Sequence, residues 1–332
     1  EHANVQPHSG TSANLAVYFS ALEIGDRILA MKLSHGGHLS HGDASSITSR
    51  CFDFRHYGLD PNTERIDYDR LLDQARSFRP AMIVAGASAY SRLIDYTVLG
   101  EIAREVSAYL LVDMAHIAGL VAAKVIPSPV PDSDFVTFTT YKTLRGGRGG
   151  VILSKKAHAG KLEKGIFPGA QGTPSLNMVA AKAVCFLDAM RPEFRRYQQR
   201  VLANASEFAA YFDRLGYRVV SGGTDNHLVL VDLRSKGISG RKAEKVVASI
   251  GIVVNRNVIP NDPLPPEVTS GIRIGSPAMT TRGMGRNEVR IIVDMMDRAM
   301  VNAEEENALN RIARQVRGLC RQFPVYSQTL DS

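Results

Sequence analysis

Residues 137–150 of this 332-residue chain read TFTTYKTLRGGRGG. A β-branched run typical of a strand leads to Lys142, and a loop of glycines and arginines follows. We therefore expect the lysine at the mouth of a sheet, beside backbone that a ligand can approach closely. An amine in this setting can form an imine with a carbonyl carbon, although most Lys-Thr pairs are simply surface charge.

A second predicted strand lies upstream and ends in two polar side chains. Residues 109–116 read YLLVDMAH, so a buried strand would deliver Asp113 and His116 at its end. A carboxylate is costly to bury unless it is paired. A protonated pyridine nitrogen is a suitable partner for Asp113. Alternatively, the Asp113 carboxylate could simply cap the next turn of the chain. An imine-forming lysine together with such a carboxylate is what pyridoxal phosphate requires.

The composition favours a globular protein that binds small anions. Hydrophobic residues make up 44% of the chain and charged residues 22%, and the length suffices for a large domain plus a smaller one. The net charge of +7 is dispersed and aromatic residues are few, at 7%, so we expect an anion-binding pocket rather than a nucleic-acid surface. No apolar run reaches the length of a membrane span.

The three cysteines indicate the redox environment of the protein, and the first residue bears on the extent of the chain. Cys51, Cys185 and Cys320 lie far apart, which predicts neither a disulfide framework nor a metal site and suits a reducing, cytoplasmic location. The chain begins at Glu1, already in structured-looking sequence. From this we expect that an N-terminal segment precedes it.

The order of predicted elements indicates an α/β fold with two domains. In the first half, apolar strands alternate with helices, which predicts a mostly parallel sheet covered on both faces. Ligands gather at the carboxyl ends of such strands, where Ser88, Asp113 and Lys142 would lie. After two long predicted helices, a smaller unit includes strands at 252–255 and 272–274 and a helix at 287–305. We predict a large domain at 1–175, connecting helices at 176–222 and a small C-terminal α/β domain at 223–332.

Three further motifs are candidate binding sites. Ser9, Gly10 and Thr11 precede a predicted helix and could hold a phosphate or simply cap the helix. The loop SHGGHLSHG at 34–42 could stack an imidazole on a cofactor, bind a metal or only fill space, and it lacks the carboxylate or cysteine that zinc sites usually have. Arg273, between glycines in an apolar strand, could bind a carboxylate or form a structural ion pair.

Taken together, five segments in order resemble the serine hydroxymethyltransferase family. They are residues 4–10, 34–42, 84–90, 112–122 and 271–283. The resemblance implies a fold-type I pyridoxal phosphate-dependent transferase that is active as a homodimer or a tetramer of dimers. It also implies transfer of the hydroxymethyl group of serine to tetrahydrofolate, which leaves glycine.

The resemblance assigns a role to each motif. Lys142 would form the imine, Asp113 would pair with the pyridine nitrogen, and His38 would stack on the ring. Ser88 and His116 would approach the phenolic oxygen of the cofactor, and Arg273 would bind the amino acid carboxylate. The phosphate would be held by Ser9, Gly10 and Thr11, with Thr139 close by, and Gly172 and Thr173 would reach the cofactor of a partner subunit. The folate site would contain Leu33, Gly37, Leu39 and Asn257, and no metal is implied.

Three departures from the family pattern leave alternatives open. Tyr141 stands at a catalytic position where the family has histidine, and a phenol has a reference pKa of about 10. Gly147 replaces a proline, and Thr173 replaces a glycine. The family's catalytic glutamate and substrate-contacting tyrosines correspond to positions upstream of Glu1. The alternatives are a folate-independent threonine-type aldolase or transaldolase on the same scaffold and, less favoured, a non-catalytic or RNA-binding relative.

Overall fold

The computed structural model describes residues 1–325, so the last part of the predicted C-terminal domain, 326–332, lies outside the described residues. Backbone contacts divide the chain into two compact units, residues 1–198 and the residues from Gln199 onward. The boundary falls inside one long helix, Pro192–Arg214. The predicted division at 1–175, 176–222 and 223–332 stays a prediction.

A seven-stranded sheet lies at the centre of the first unit. Its strands are β1 (His2–Asn4), β2 (Arg27–Met31), β3 (Asp53–Tyr57), β4 (Met82–Ala85), β5 (Tyr109–Asp113), β6 (Phe135–Thr139) and β7 (Gly150–Ser154). Their order across the sheet is β1-β7-β6-β5-β4-β2-β3. The pairings from β6 to β3 are parallel, whereas β7 is antiparallel to both of its neighbours. The predicted mostly parallel α/β sheet is therefore confirmed.

Helices cover both faces of this sheet. They are α1 (Gly10–Ala21), α2 (Thr48–Cys51), α3 (Tyr68–Phe78), α4 (Tyr96–Glu105), α5 (Ala118–Ala122), α6 (Ala159–Lys164) and α7 (Leu176–Ala189), and α8 (Pro192–Arg214) follows. In α1, Ala13, Val17 and Tyr18 are fully buried in a cluster with apolar side chains of β2, β4, β5, β6 and β7. This packing fixes the first turn of α1 relative to the strand ends.

The second unit is a smaller α/β arrangement. It contains β8 (Arg218–Val219), β9 (Leu228–Asp232), β10 (Asn255–Asn257) and β11 (Gly271–Gly275), with α9 (Gly240–Ser249), α10 (Pro277–Thr281), α11 (Arg286–Val301) and α12 (Glu306–Gln322). The four strands pair antiparallel in the order β10-β11-β9-β8. Asp232, only 2% exposed, is ion-paired with Arg218 and Arg234, so its buried charge is compensated.

Two predicted elements of the second unit were wrong. The strand expected at 252–255 begins only at Asn255, because the amide of Ile252 still closes the end of α9 on the Val247 carbonyl and Val253 is 88% exposed. The helix expected at 287–305 ends at Val301, and α12 follows as a separate helix.

Candidate active site

Ten of the predicted cofactor-site and catalytic residues line one cavity in the first unit. The cavity lies where β4, β5 and β6 end, because the carboxyl ends of neighbouring parallel strands meet at one edge of a sheet. These residues are Ser9, Gly10, Thr11, His38, Ser88, Asp113, His116, Thr139, Tyr141 and Lys142. The same cavity is also lined by His41, which lies in the loop at 34–42, and by Ala87, Ala115 and Arg148; none of these four had been assigned a role of its own.

The first turn of α1 forms one wall of the cavity. Ser9 is the N-cap: its side-chain oxygen accepts from the Ser12 amide at 3.2 Å, and Ser12 Oγ accepts from the Ser9 amide at 2.8 Å. The first amides of a helix have no intrahelical acceptor and carry partial positive charge. Ser9 is therefore a helix cap at an end that can also receive an anion, so the two explanations given above are compatible.

Asp113 is held as an ion in the floor of the cavity. Its Oδ2 accepts from Asn14 Nδ2 at 2.8 Å and from His41 Nε2 at 3.2 Å, and its Oδ1 accepts from the Ala115 amide at 3.0 Å. Burial by itself raises the pKa of this carboxyl, but the hydrogen bonds from His41 and Asn14 outweigh burial and hold the pKa well below its usual range. Asp113 is thus a buried, charged acceptor at a strand end.

Asn14 connects Asp113 to residues 34–42, the glycine-histidine loop. It is fully buried, donates to Asp113 and to Ser40 Oγ at 2.9 Å, and accepts from Thr137 Oγ1 at 2.6 Å. Ser40 Oγ lies 2.8 Å from His38 Nδ1, so the chain of hydrogen bonds reaches the His38 ring. Burial lowers the pKa of His38, partly opposed by the charge of Asp113. The ring is therefore held in place and favoured in its uncharged form.

The metal interpretation of the glycine-histidine loop is not needed to explain its geometry. In residues 1–325, one group of potential ligands, His38, His41 and Asp113, has its atoms within 4.8 Å of one another. However, His41 Nε2 already bonds Asp113, and His38 Nδ1 bonds Ser40. We interpret the group as a hydrogen-bond network, and the absence of a metal stays a prediction.

Lys142 follows β6 in a loop whose backbone is held by hydrogen bonds from the flanking threonines. Thr140 Oγ1 donates to the Gly147 carbonyl at 2.5 Å, and Thr143 Oγ1 donates to the His116 carbonyl at 2.9 Å. These bonds hold the backbone on both sides of the lysine. At Gly147, where the family has proline, the carbonyl is thus engaged in closing the loop.

Tyr141 has a partner that sequence reasoning missed. The guanidinium of Arg148 lies over its ring, 4.8 Å from the centroid, and both residues line the cavity with Lys142. A cation over an aromatic face is attractive and holds the ring in one orientation. The glycine-arginine loop after Lys142 was the available signal for Arg148.

The remaining predicted residues do not line this cavity. Gly172 and Thr173 are exposed before α7, and Leu33 and Leu39 are 41% and 51% exposed near the buried Gly37. In the second unit, Asn257 pairs with Gly271 between β10 and β11.

Arg273 also belongs to the second unit, on β11. Its Nη2 donates to Asn255 Oδ1 at 3.3 Å, and burial lowers the pKa of its guanidinium. A half-buried arginine of this kind retains affinity for a carboxylate.

The donor set of the cavity fits pyridoxal phosphate. Lys142 offers an amine for the aldehyde, the ionised Asp113 offers an acceptor for a ring N–H, and the hydroxyls at the start of α1 suit the phosphate. An α/β sheet that brings Asp113 and Lys142, at its strand ends, together with the first turn of α1 has the arrangement of a fold-type I pyridoxal phosphate-dependent enzyme. The model of the family described as serine hydroxymethyltransferase matches residues 1–296, and the chain belongs to this family. It is an enzyme of the pyridoxal phosphate-dependent one-carbon transferase type.

Every helix in the described part of the chain is too short or too polar to span a bilayer.

Proposed function

We propose that the protein transfers the hydroxymethyl carbon of L-serine, or of an α-substituted serine, to tetrahydrofolate by cleavage of the Cα–Cβ bond. The product is glycine or the corresponding amino acid. The observation that carries this proposal is the cavity that brings Lys142, an ionised Asp113 and the first turn of α1 together. Bound pyridoxal phosphate would supply an aldehyde for the amine and a ring that stabilises negative charge on Cα.

The protein's own groups would each do one task. Asp113 would accept a hydrogen bond from the protonated ring nitrogen, because His41 and Asn14 favour its charged form. The His38 imidazole would stack on the ring, and Ser88 and His116 would bind the phenolic oxygen. On the basis of the family, Arg273 would bind the amino acid carboxylate and so orient the bond that breaks.

Tetrahydrofolate is proposed as the co-substrate on the basis of the family. Leu33 and Leu39 expose apolar side chains beside Gly37, which suits a flat aromatic ligand. Asn257 is proposed as a folate contact from the family resemblance alone. The alternative is a folate-independent threonine-type aldolase or transaldolase. Tyr141, with Arg148 over its ring, favours this alternative because the phenol replaces the histidine that is usual in the family.

We also propose a homodimer that shares its cofactor sites. Helix α7 exposes Leu176, Val184 and Leu187 at 71%, 68% and 59%, on one side of the helix, and Gly172 and Thr173 directly precede it. Exposed apolar faces of this kind mark protein contacts. The described cysteines are free, which accords with the cytoplasmic location that is part of this proposal.

The dimer can be tested with one substitution in α7. Leu187→Glu is expected to give a monomer in sedimentation velocity and to weaken cofactor binding, whereas Ile24→Glu, at a 76% exposed position elsewhere, should change neither. A dimeric Leu187→Glu variant would contradict the proposed interface.

The substrate is tested by following glycine release. The protein is reconstituted with pyridoxal phosphate and given L-serine with and without tetrahydrofolate, and L-threonine in parallel. Lys142→Ala is the inactive control. We expect release from serine that depends strongly on folate. Folate-independent cleavage that is faster on threonine would replace this proposal with the aldolase alternative.

A further inference from the structure

A buried lysine outside the cavity has an unusual set of partners. Lys182 lies in α7 and is 2% exposed, although most of that helix is open to solvent. Its Nζ donates to the carbonyls of Val5, Pro7 and Gly150, at 2.6, 3.1 and 3.0 Å. Burial lowers the pKa of this ammonium, and no carboxylate pairs with it among the described ion pairs. A buried charge with only carbonyl partners is costly, so it calls for a specific explanation.

The three carbonyls belong to two segments, the residues before α1 and the first residue of β7. β1 pairs with β7 only as far as Asn4, opposite Ile152. Residues 5–8 then leave the sheet and lead into Ser9, the N-cap of α1. Beyond Asn4, the regular hydrogen bonds between β1 and β7 stop. In their place the Gly150 amide donates to the Pro7 carbonyl at 2.8 Å, and Lys182 donates to the same carbonyl. The ammonium thus joins the segment before α1 to the start of β7.

The backbone at Gly149 and Gly150 packs closely against Lys182 and against the segment before α1. A Cβ on Gly149 would lie 2.1 Å from Lys182 Cε, and one on Gly150 would lie 2.2 Å from the Ser9 carbonyl oxygen. The side chain of Gln171 secures the same segment from another side, since it donates to the Gln6 carbonyl at 3.0 Å and accepts from the His8 amide at 3.3 Å. The backbone before Ser9 is therefore held by the side chains of Lys182 and Gln171 together with one backbone hydrogen bond, from Gly150 to Pro7, rather than by a regular strand ladder.

We propose that Lys182 is a positioning residue for the phosphate-binding turn at Ser9, Gly10 and Thr11. An ammonium has three hydrogens, and all three are given to carbonyls. Lys182 therefore acts through the backbone and does not itself bind the phosphate. The proposal rests on pyridoxal phosphate as the cofactor, but it does not depend on whether serine or threonine is the substrate.

The test compares pyridoxal phosphate with pyridoxal, which lacks the phosphate. We expect Lys182→Met to raise the dissociation constant of pyridoxal phosphate at least tenfold and that of pyridoxal less than twofold, as measured by titration of the cofactor's absorbance. Leu71→Ala, in the buried face of α3, is the control for a general loss of stability and should affect both ligands alike. Equal weakening of both ligands in Lys182→Met, or no weakening, overturns the proposal.

A second variant covers the case in which Lys182→Met does not fold. Gly149→Ala pushes on Lys182 Cε and leaves the charge in place, so we expect the same selective loss of pyridoxal phosphate affinity, at least threefold. Unselective or absent weakening in Gly149→Ala likewise overturns the proposal. Wild-type protein that binds the cofactor but does not cleave serine would refute the proposed function and leave this inference standing.

Discussion

Replacement of Asn14 by leucine removes three hydrogen bonds from the centre of the cofactor cavity. The lost partners are the charged Asp113, Ser40 and Thr137. A hydrogen bond to a charged group contributes about 1.5–3 kcal/mol and a neutral one about 1 kcal/mol. We therefore expect Asn14→Leu to lower the free energy of unfolding of the cofactor-free protein by about 4 kcal/mol. Cofactor affinity should fall as well, because Asp113 loses a donor that favours its charged form.

The matched control is a buried asparagine with neutral partners only. Asn204, 2% exposed, donates to Thr280 Oγ1 at 2.9 Å and to the Met284 carbonyl at 3.1 Å. Asn204→Leu should cost about 2 kcal/mol, without a change in cofactor affinity. Urea unfolding followed by circular dichroism gives the stabilities, and absorbance titration gives the affinities. If Asn14→Leu costs no more than Asn204→Leu, or leaves the affinity unchanged, the assigned role of the Asn14–Asp113 hydrogen bond is refuted.

Three further variants test the remaining assignments. Arg273→Lys should raise the KM for serine by about tenfold to a hundredfold with little change in kcat, because an ammonium cannot bind the carboxylate through two parallel hydrogen bonds. Arg256→Lys, at an exposed position in the same unit, is the control. An unchanged KM in Arg273→Lys would exclude the proposed role of Arg273 in carboxylate binding. Tyr141→His should increase folate-dependent glycine release, because an imidazole can exchange protons near neutral pH; an unchanged rate would mean that Tyr141 takes no part in proton transfer. Because the folded-state pKa of Asp113 is lowered, its contribution to stability is present above its unfolded pKa, about 3.9, and is lost as the pH falls through the folded value. Acid titration of the cofactor-free protein should thus show a steeper loss of stability below about pH 4 in the wild type than in Asp113→Asn, and parallel curves would contradict the lowered pKa.

The sequence alone determined the parts of this protein that depend on local patterns. Apolar runs such as 109–113 and 135–139 specify buried strands, and the polar residues that follow them reach one edge because parallel strands end together. The lysine after β6 and the aspartate at the end of β5 were therefore predictable as neighbours. In contrast, the sequence analysis did not predict β3 or α12. β3 is an edge strand whose residues are mostly exposed, and its sequence lacks the apolar run of the buried strands.

Only the tertiary structure decided which polar side chains support the site. Asn14 and Thr137 are 123 residues apart, and Lys182 lies more than 170 residues from Val5 and Pro7. No local pattern distinguishes such an asparagine or lysine from one on the surface, because its role depends on partners that folding brings together. The sequence thus identified the groups that can act on a ligand. The charge state of Asp113 and the position of the α1 turn depend on long-range hydrogen bonds that exist only in the folded protein.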